Sequence, residues 1–577
     1  KMSLSLVSGT YNRLDLLKRM IRSARKSVGN VPYTFIIVDG GSGDGTQDWL
    51  RTQLDVILIE HGELLGAIKA YNDGCKAAAS DYVVILNDDI EVTPGTLAGA
   101  YYFMEQHPKV GQGAFGHIYQ RRGAEAKTTP RWQEYQGYLY GQCSIIRRIL
   151  GDTVGWWGEG YRTYAGDTHL SMRLWELGWR VERLPLCTVI DYEYEDELRR
   201  INNKDQRHIN EGKHPDSQLF QQRWQGRLPH KSHWKAASIN SVLAKAARGA
   251  LSTVRFKVTP PGWPARFALI RAFEKYGKAH QVNQTRYGRT HGMEKLQEYA
   301  VDWVRKGQPD LVLLQSHTRR NAIWPVTVKR MRRVCPRAFI INWNGDCHFP
   351  LSAFDIDIAK AVDLQLHISP TLFEEYMSKG AYNIGYWPIG VEKEFFESVR
   401  PAKITGPDMI FMGALYGLGV FPEAKNRKRA VKTLMDSSVK MTLYGPGWDK
   451  LGYKTEMTWD QFASNAQLYA EAAMGLSISQ ASHLWGYTSD RLYNICASQC
   501  PALVQRFAGM EEHGFIDGET CISWSTMEEM MERTRYYLHK KHWAERERIA
   551  LAGRELIKAR HTWDSRVLSL FEMTGGL

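Results

Sequence analysis

Two stretches of this chain place acidic side chains where they could act on a charged, oxygen-rich substrate. In Val38-Asp39-Gly40-Gly41-Ser42-Gly43-Asp44-Gly45-Thr46, Asp39 follows a β-branched run and precedes a turn that glycines make easily. A carboxylate held there can hydrogen-bond a base or a ribose. Further on, Leu86-Asn87-Asp88-Asp89-Ile90-Glu91 ends another apolar run with adjacent oxygen ligands. Such a set suits a hard divalent ion, Mg²⁺ or Mn²⁺, that bridges diphosphate oxygens and offsets charge on a leaving nucleotide.

Positioning these groups requires a sheet, and the hydrophobic pattern supplies one. Leu4–Ser8, Thr34–Val38, Asp55–Ile59 and Tyr82–Leu86 read as strands, alternating with helical patterns at Leu14–Ser27, after Asp44 and at Ala67–Ala78. The expected result is a βαβα parallel sheet. Ser8–Arg13, Asp39–Thr46 and Asn87–Glu91 all fall at its carboxyl edge, where such sheets bind ligands. Between about Arg200 and Lys245 the pattern weakens into a Gln-, His- and Lys-rich segment, followed by a helical stretch and a strand at Thr253–Val258. A second alternating series follows, with strands at Leu311–Gln315, Ala338–Trp343, Leu364–Ser369 and Ile384–Trp387, then Met409–Met412, Lys440–Tyr444, Leu476–Ser479 and Ala502–Gln505. This series reads as two Rossmann-like halves joined near residues 390–407.

Taken in order, the motifs Ser8-Gly9-Thr10-Tyr11-Asn12-Arg13, Val38–Thr46, Asn72-Asp73-Gly74 and Leu86–Glu91 make residues 3–195 resemble family 2 glycosyltransferases of the GT-A fold. The resemblance implies donor contacts from Thr10, Asn12, Arg13, Asp39 and Asp88, and a metal motif in which Asn87 and Asp89 are ligands. The family's general base is the aspartate of a Glu-Asp pair near a helix start. Here the matching run is Ala165-Gly166-Asp167-Thr168-His169-Leu170-Ser171-Met172-Arg173, which puts Asp167 on the base position and Gly166 in place of the glutamate. A carboxylate there would deprotonate an acceptor hydroxyl opposite the leaving diphosphate, giving inversion. The alternative role for Asp167 is to cap the following helix. Where the family often has a metal-binding histidine, this chain reads Val189-Ile190-Asp191-Tyr192-Glu193, so Asp191 is either a substitute ligand or part of a surface acidic run. Trp156 and Trp157 are acceptor-stacking candidates, buried aromatics being the commoner use of such a pair.

The second half has its own strand-end loops, Phe411-Met412-Gly413-Ala414-Leu415-Tyr416-Gly417 and Tyr444-Gly445-Pro446-Gly447-Trp448. Tight turns of this kind can expose amides to phosphate, and Tyr487–Asn494 opens a helix that would bring Arg491 towards a diphosphate. With Pro501–Gln505 and His561-Thr562-Trp563-Asp564-Ser565-Arg566-Val567, these stretches resemble the spore-coat-type group 1 glycosyltransferases of the GT-B fold. Gly413, Arg491 and Asn494 then fall on donor-binding positions, Asn494 standing where relatives commonly carry a ribose-binding glutamate.

The fold class expected is therefore α/β, a GT-A domain at 1–205, a connection at 206–250, and a two-lobed GT-B unit at 251–395 and 396–577. Its function would be tandem sugar transfer, a metal-dependent, inverting GT-A unit and a metal-independent GT-B unit each moving a sugar from nucleotide-sugar donors (UDP- or other NDP-sugars) to a glycan or lipid-linked acceptor. The alternative is a GT-B half that only grips the acceptor while the first half reacts. Charge keeps a DNA acceptor open. Lys and Arg number 30 against 28 Asp and Glu up to residue 235, and 45 against 34 beyond it, so the second half carries most of the net +13. A basic half of this kind fits a polyanion or an anionic membrane surface, without choosing between them. A first strand lacking GxGxxG argues against a dehydrogenase. No apolar run is long enough to span a bilayer and Lys1 to Gly9 lacks a signal peptide's hydrophobic region, so a cytoplasmic location is expected. Eight scattered cysteines form no zinc or disulfide spacing and are expected as buried thiols.

Overall fold

The structure, a computed structural model, describes residues 4–120, 129–192, 196–200, 213–225, 255–258, 267–317, 322–346, 350–417, 421–456 and 462–574. The chain divides into two compact units, residues 1–237 with 575–577 and residues 238–574. Most of the polar 200–245 segment, and Cys347, lie outside the described residues. The other seven cysteines are buried free thiols.

The first unit is built on one sheet of eight strands. They are β1 (Leu4–Thr10), β2 (Tyr33–Asp39), β3 (Val56–Glu60), β4 (Tyr82–Ile85), β5 (Ile90–Val92), β6 (Val110–Gln120), β9 (Ser144–Arg147) and β10 (Arg180–Tyr192), with a small hairpin of β7 (Gln133–Tyr135) and β8 (Tyr138–Tyr140) beside them. Their order is β3-β2-β1-β4-β9-β6-β10-β5. The first four strands are parallel, as expected, but β9 runs antiparallel to both β4 and β6, and β5 antiparallel to β10. The sheet is thus mixed, as in a GT-A domain.

Helix α1 (Leu14–Ser27) shows why the parallel part forms. It buries Leu17, Met20, Ile21 and Ala24, a stripe at helical spacing, and keeps Asp15 in its first turn and Arg25 and Lys26 in its last, matching the helix dipole. Helix α3 (Ala67–Lys76) lies closer to the sheet than most side chains permit, because Gly74 meets β1 and β2. A Cβ there would stand 2.6 Å from Val7 Cγ1 and 3.2 Å from Val38 Cγ2. The remaining helices of this sheet region are α2 (Thr46–Arg51), α4 (Thr96–Gln106), α5 (Arg148–Val154) and α6 (Gly166–Glu176). One further helix, Pro215–Trp224, lies within the stretch expected to be a connection, and packs into this unit through buried Asp216, Phe220 and Trp224.

The second unit holds two all-parallel six-stranded sheets. The first runs β12 (Lys278–Gln281), β11 (Arg255–Val258), β13 (Leu311–Leu314), β14 (Phe339–Asn344), β15 (Leu364–His367) and β16 (Ile384–Tyr386). The second runs β19 (Thr455–Glu456), β18 (Met441–Tyr444), β17 (Met409–Met412), β20 (Met474–Ser477), β21 (Ala502–Gln505) and β22 (Ile522–Trp524). In each, the order reverses beside the first strand, the topological switch point of doubly wound sheets. The helix Trp563–Met573 then returns to the first sheet, where Phe571 contacts Phe256 and Phe273. Trp343, Trp387 and Trp563 form a buried cluster, and their indole N–H groups donate to Trp387 O, Arg566 O and Glu392. Two Rossmann-like lobes tied by a returning helix are the GT-B arrangement.

Candidate active site

In the first unit the carboxyl ends of β1 and β4 meet at a cavity of about 620 Å³. Thr10, Tyr11 and Arg13 line it from β1, Asn87, Asp88 and Asp89 from β4, and Asp167 and Thr168 from the first turn of α6. Thr10 Oγ1 donates to Asp88 Oδ2 at 2.9 Å, and the Arg13 guanidinium spans Asp88 Oδ1 at 2.8 Å and Asp89 Oδ2 at 3.2 Å. A second branch of Arg13 reaches Asp196 at 2.9 Å. Burial alone would lower the Arg13 guanidinium's proton affinity, but Asp88, Asp89 and Asp196 together raise it, so it stays charged. Arg199 also touches Asp89, at 3.3 Å, and stands 3.8 Å from Asp191.

Four carboxylates, Asp88, Asp89, Asp191 and Asp196, thus face two guanidiniums. The Asp89 carboxyl is pushed up to about 6, first by burial and then by the neighbouring Asp88 and Asp191, despite Arg13 and Arg199. Asp191 comes to this place because β10 pairs it with Ile90, the residue after Asp89. Its Oδ1 is buried without a hydrogen bond, and His117 stands 3.7 Å from its other oxygen. In charge and in oxygen donors these residues fit a divalent cation. Among the described residues, however, no three His, Cys, Asp or Glu side chains are already arranged to close around one. Asn87 Oδ1, also expected as a ligand, accepts from Tyr71 Oη at 3.0 Å.

Asp39 differs from expectation. It is fully buried, and its oxygens accept from the Gly41 and Ser42 N–H groups, Ser42 Oγ and Gln47 Nε2 at 2.5–3.0 Å. Those donors leave the carboxylate building the turn, while Gly40 beside it lines the cavity. Asn12 ties the same turn to β1, its N–H donating to Ser42 Oγ and its Oδ1 accepting from Gly43 N–H, both at 2.8 Å. The left-handed backbone of Asn12, φ +50°, makes that double contact possible.

Asp167 is half-buried and opens on the cavity. Its Oδ1 accepts from Thr168 N–H at 2.7 Å, and the withholding of water by surrounding protein raises its carboxyl above the ordinary range. It is not the N-cap residue, which is Ala165 at φ +64°, but from inside the first turn it satisfies that one free amide of the helix start. The two tryptophans separate. Trp156 is fully buried, donates to Asp152 and packs over Gly151, so it belongs to the core and not to an acceptor site. Trp157 lines the cavity and stacks on Tyr71 with centroids 4.6 Å apart. Sequence reasoning missed Tyr71, Tyr140, Arg162 and Arg199 in the lining. Only Arg199 carried a signal, as the cation next to the Asp191–Glu197 acidic run.

The second unit has a separate cleft of about 370 Å³ between its two sheets' carboxyl ends, lined among others by Arg289, His317, Asp346, Tyr487, Ser489, Asp490 and Tyr493. Arg491 turns away from it. Its guanidinium donates to Met412 O at 2.5 Å and Ile478 O at 3.0 Å and lies 4.5 Å from the Phe411 ring centre. Gly413 is what admits it, since a Cβ there would collide with the guanidinium. Asn494 is half-buried on the same helix and is not part of the cleft lining.

Residues 5–158 match the family described as "Glycosyl transferase family 2", and residues 427–572 the one described as "Glycosyl transferase-like". Similar curated proteins include the N-acetylglucosaminyl-diphospho-decaprenol L-rhamnosyltransferase of Mycobacterium tuberculosis, 24% identical over 233 residues, 33% of this chain and 76% of that protein. The uncharacterized glycosyltransferase YwdF of Bacillus subtilis is 26% identical over 201 residues, 33% of this chain and 74% of that one. The crystal structure of S. aureus TarS aligns at a TM-score of 0.29 and 17% identity, over 44% of this chain and 48% of that one. Among the described residues no helix is long and apolar enough to cross a membrane. With its two matched regions falling one in each unit, the chain is a glycosyltransferase in which a family 2 domain is followed by a glycosyltransferase-like domain of the GT-B type.

Proposed function

We propose that the first unit moves a sugar from a nucleotide-sugar donor to a hydroxyl of a glycan or lipid-linked glycan, with inversion, and that Asp167 is the general base. The observation that carries this reading is that Asp167 opens on the same cavity as the Thr10, Arg13, Asp88 and Asp89 cluster, from a different element. The donor's diphosphate lies against Arg13 and Arg199 and its nucleoside against the turn that Asp39 and Asn12 build. Asp167 takes the acceptor proton as the acceptor oxygen attacks the anomeric carbon and the nucleoside diphosphate leaves. Asp89 and Asp191, with Asn87 beside them, would hold Mg²⁺ or Mn²⁺, which supplies charge neutralisation for the leaving diphosphate. Trp157 walls the cavity near the acceptor side. The M. tuberculosis relative, named for transfer to a diphospho-decaprenol-linked sugar, supports a lipid-linked acceptor.

The second unit is read as an acceptor-holding module. Arg491 is committed to backbone carbonyls, and the cleft lining offers Asp346 and Asp490, beside Arg289 and His317, to the hydroxyls of an acceptor sugar. The test is turnover of a panel of UDP-, GDP- and dTDP-sugars with Mn²⁺ or EDTA. Loss of turnover in EDTA and in Asp167→Asn, with retention of donor hydrolysis in Arg491→Gln, is the expected result. Full transfer by Asp167→Asn would remove the base assignment. Salt-sensitive retention of the chain on DNA, exceeding that on anionic glycans, would replace the glycan acceptor with DNA.

A further inference from the structure

The loop that delivers Asp167 has no cap of its own. Helix α6 begins at Gly166 behind Ala165, a non-glycine residue in left-handed backbone, and no side chain of the loop closes its first turn. What holds the loop comes from elsewhere. Asp216, 2% exposed, accepts three successive backbone N–H groups, from Arg162 at 3.0 Å on one oxygen and from Thr163 and Tyr164, both at 2.8 Å, on the other. Three consecutive amides aimed at one carboxylate form a concave cradle whose shape is set by the anion inside it.

Asp216 is itself fixed. It sits in the first turn of the helix Pro215–Trp224, where its own N–H donates to His214 Nδ1 at 3.1 Å. The far end of that helix is anchored on α6, Trp224 Nε1 donating to His169 Nδ1 at 3.0 Å. On the loop's other side, Arg162 O accepts from Ile68 N–H at 3.1 Å, in the first turn of α3. The residues just before Asp167 are therefore gripped between α3 and Asp216, and Ser217, next in sequence, lines the same cavity as Asp167.

We infer that Asp216 is a positioning residue for sugar transfer, the buried anion around which residues 162–164 fold and which sets where Asp167 meets the acceptor oxygen. It touches neither donor nor acceptor. The inference rests on Asp167 being the base, and the experiment separates the two.

Amide hydrogen exchange of residues 162–166 is measured in the full chain for wild type, Asp216→Asn and Asp216→Ala. In parallel, donor turnover is followed with whichever of UDP-glucose, UDP-N-acetylglucosamine, GDP-mannose and dTDP-rhamnose is hydrolysed fastest. Asp216→Ala is expected to speed exchange at Arg162, Thr163 and Tyr164 at least tenfold, and to lower kcat at least tenfold with donor KM within twofold. Asp216→Asn, which keeps one carbonyl oxygen, should fall between. If Asp216→Ala does not fold, Asp216→Asn alone decides by the same two measurements. Unchanged exchange at the three amides overturns the inference whatever the donor, and so does faster exchange with unchanged kcat. Full turnover in Asp167→Asn sinks the base assignment, while its loss there beside an unaffected Asp216→Ala sinks only the role of Asp216.

Discussion

Asp167 must be ionised to take a proton, and its surroundings oppose that charge. Its raised carboxyl means that activity should rise with pH through a value above the ordinary carboxylate range. The same shift fixes the sign of a stability effect. A carboxyl that is raised on folding favours the native state only while protonated, and that contribution is lost as pH climbs from its unfolded value through its folded one. Asp167→Asn should therefore melt at or above the wild-type temperature at pH 7, with the difference vanishing near pH 3, while losing about 10²–10⁴ in transfer rate. Thermal melts across pH beside single-turnover rates check both halves. Removing Arg13, by contrast, should destabilise the fold. Arg13→Met leaves Asp88 and Asp89 buried without their shared partner, a loss of about 3–5 kcal/mol to the first unit. Added Mn²⁺ should restore much of it, read as a larger upward melting shift in the variant than in wild type. At this scale the sequence was partly readable. Glycine-rich turns and adjacent acids marked Asp39, Asp88 and Asp89, but nothing in sequence tells that the Asp39 oxygens are consumed by Gly41, Ser42 and Gln47, because a side chain's partners depend on how the turn closes.

Helices and strands with strong periodicity were legible. Helix α1 begins and ends where the apolar stripe and the terminal charges place it, and the buried strands β1, β2 and β4 form at the apolar runs expected of them, β1 and β2 extending to Thr10 and Asp39 and β4 stopping at Ile85. Antiparallel β9 and β5 were not, since four and three residues carry too little pattern, and strand direction depends on contacts distant in sequence. The helix Pro215–Trp224 was hidden for another reason. Its buried residues are Asp216, Phe220 and Trp224, with polar glutamines between, so its anchoring side is part carboxylate and part aromatic and the segment reads as polar connection. Close packing gives the prediction at this scale. Gly74→Val would drive a branched side chain into Val7 and Val38, and an overpacking penalty of about 1–3 kcal/mol is expected, seen as a lowered denaturant midpoint at unchanged m. Since α3 also supports residue 162 through Ile68, turnover should fall further than stability alone explains.

At the level of the whole chain, each glycosyltransferase region has its own core and its own cleft. If the second unit holds acceptor, then Asp346→Ala or Asp490→Ala should raise acceptor KM without changing the rate of donor hydrolysis, a separation that acceptor titrations measure directly. The basic balance of residues 236–577 adds a salt dependence: acceptor KM should rise with ionic strength when the acceptor is anionic. Two alternating series of strands and helices were readable, because parallel sheets need a crossover between every pair of strands and so repeat a visible rhythm, whereas their order as GT-A then GT-B came from the motifs at the strand ends.

The helix Trp563–Met573 has a consequence for synthesis. Its Phe571 completes packing against Phe256 and Phe273, and its Trp563 joins Trp343 and Trp387, so the first lobe of the second unit waits for residues about three hundred positions later. On the ribosome the family 2 domain can mature early, whereas the lobe begun at β11 must stay incomplete until residue 573 has emerged. A chain stopped before Trp563 should yield a folded, donor-hydrolysing first unit joined to a protease-sensitive remainder, and limited proteolysis of nascent or truncated chains would display that asymmetry.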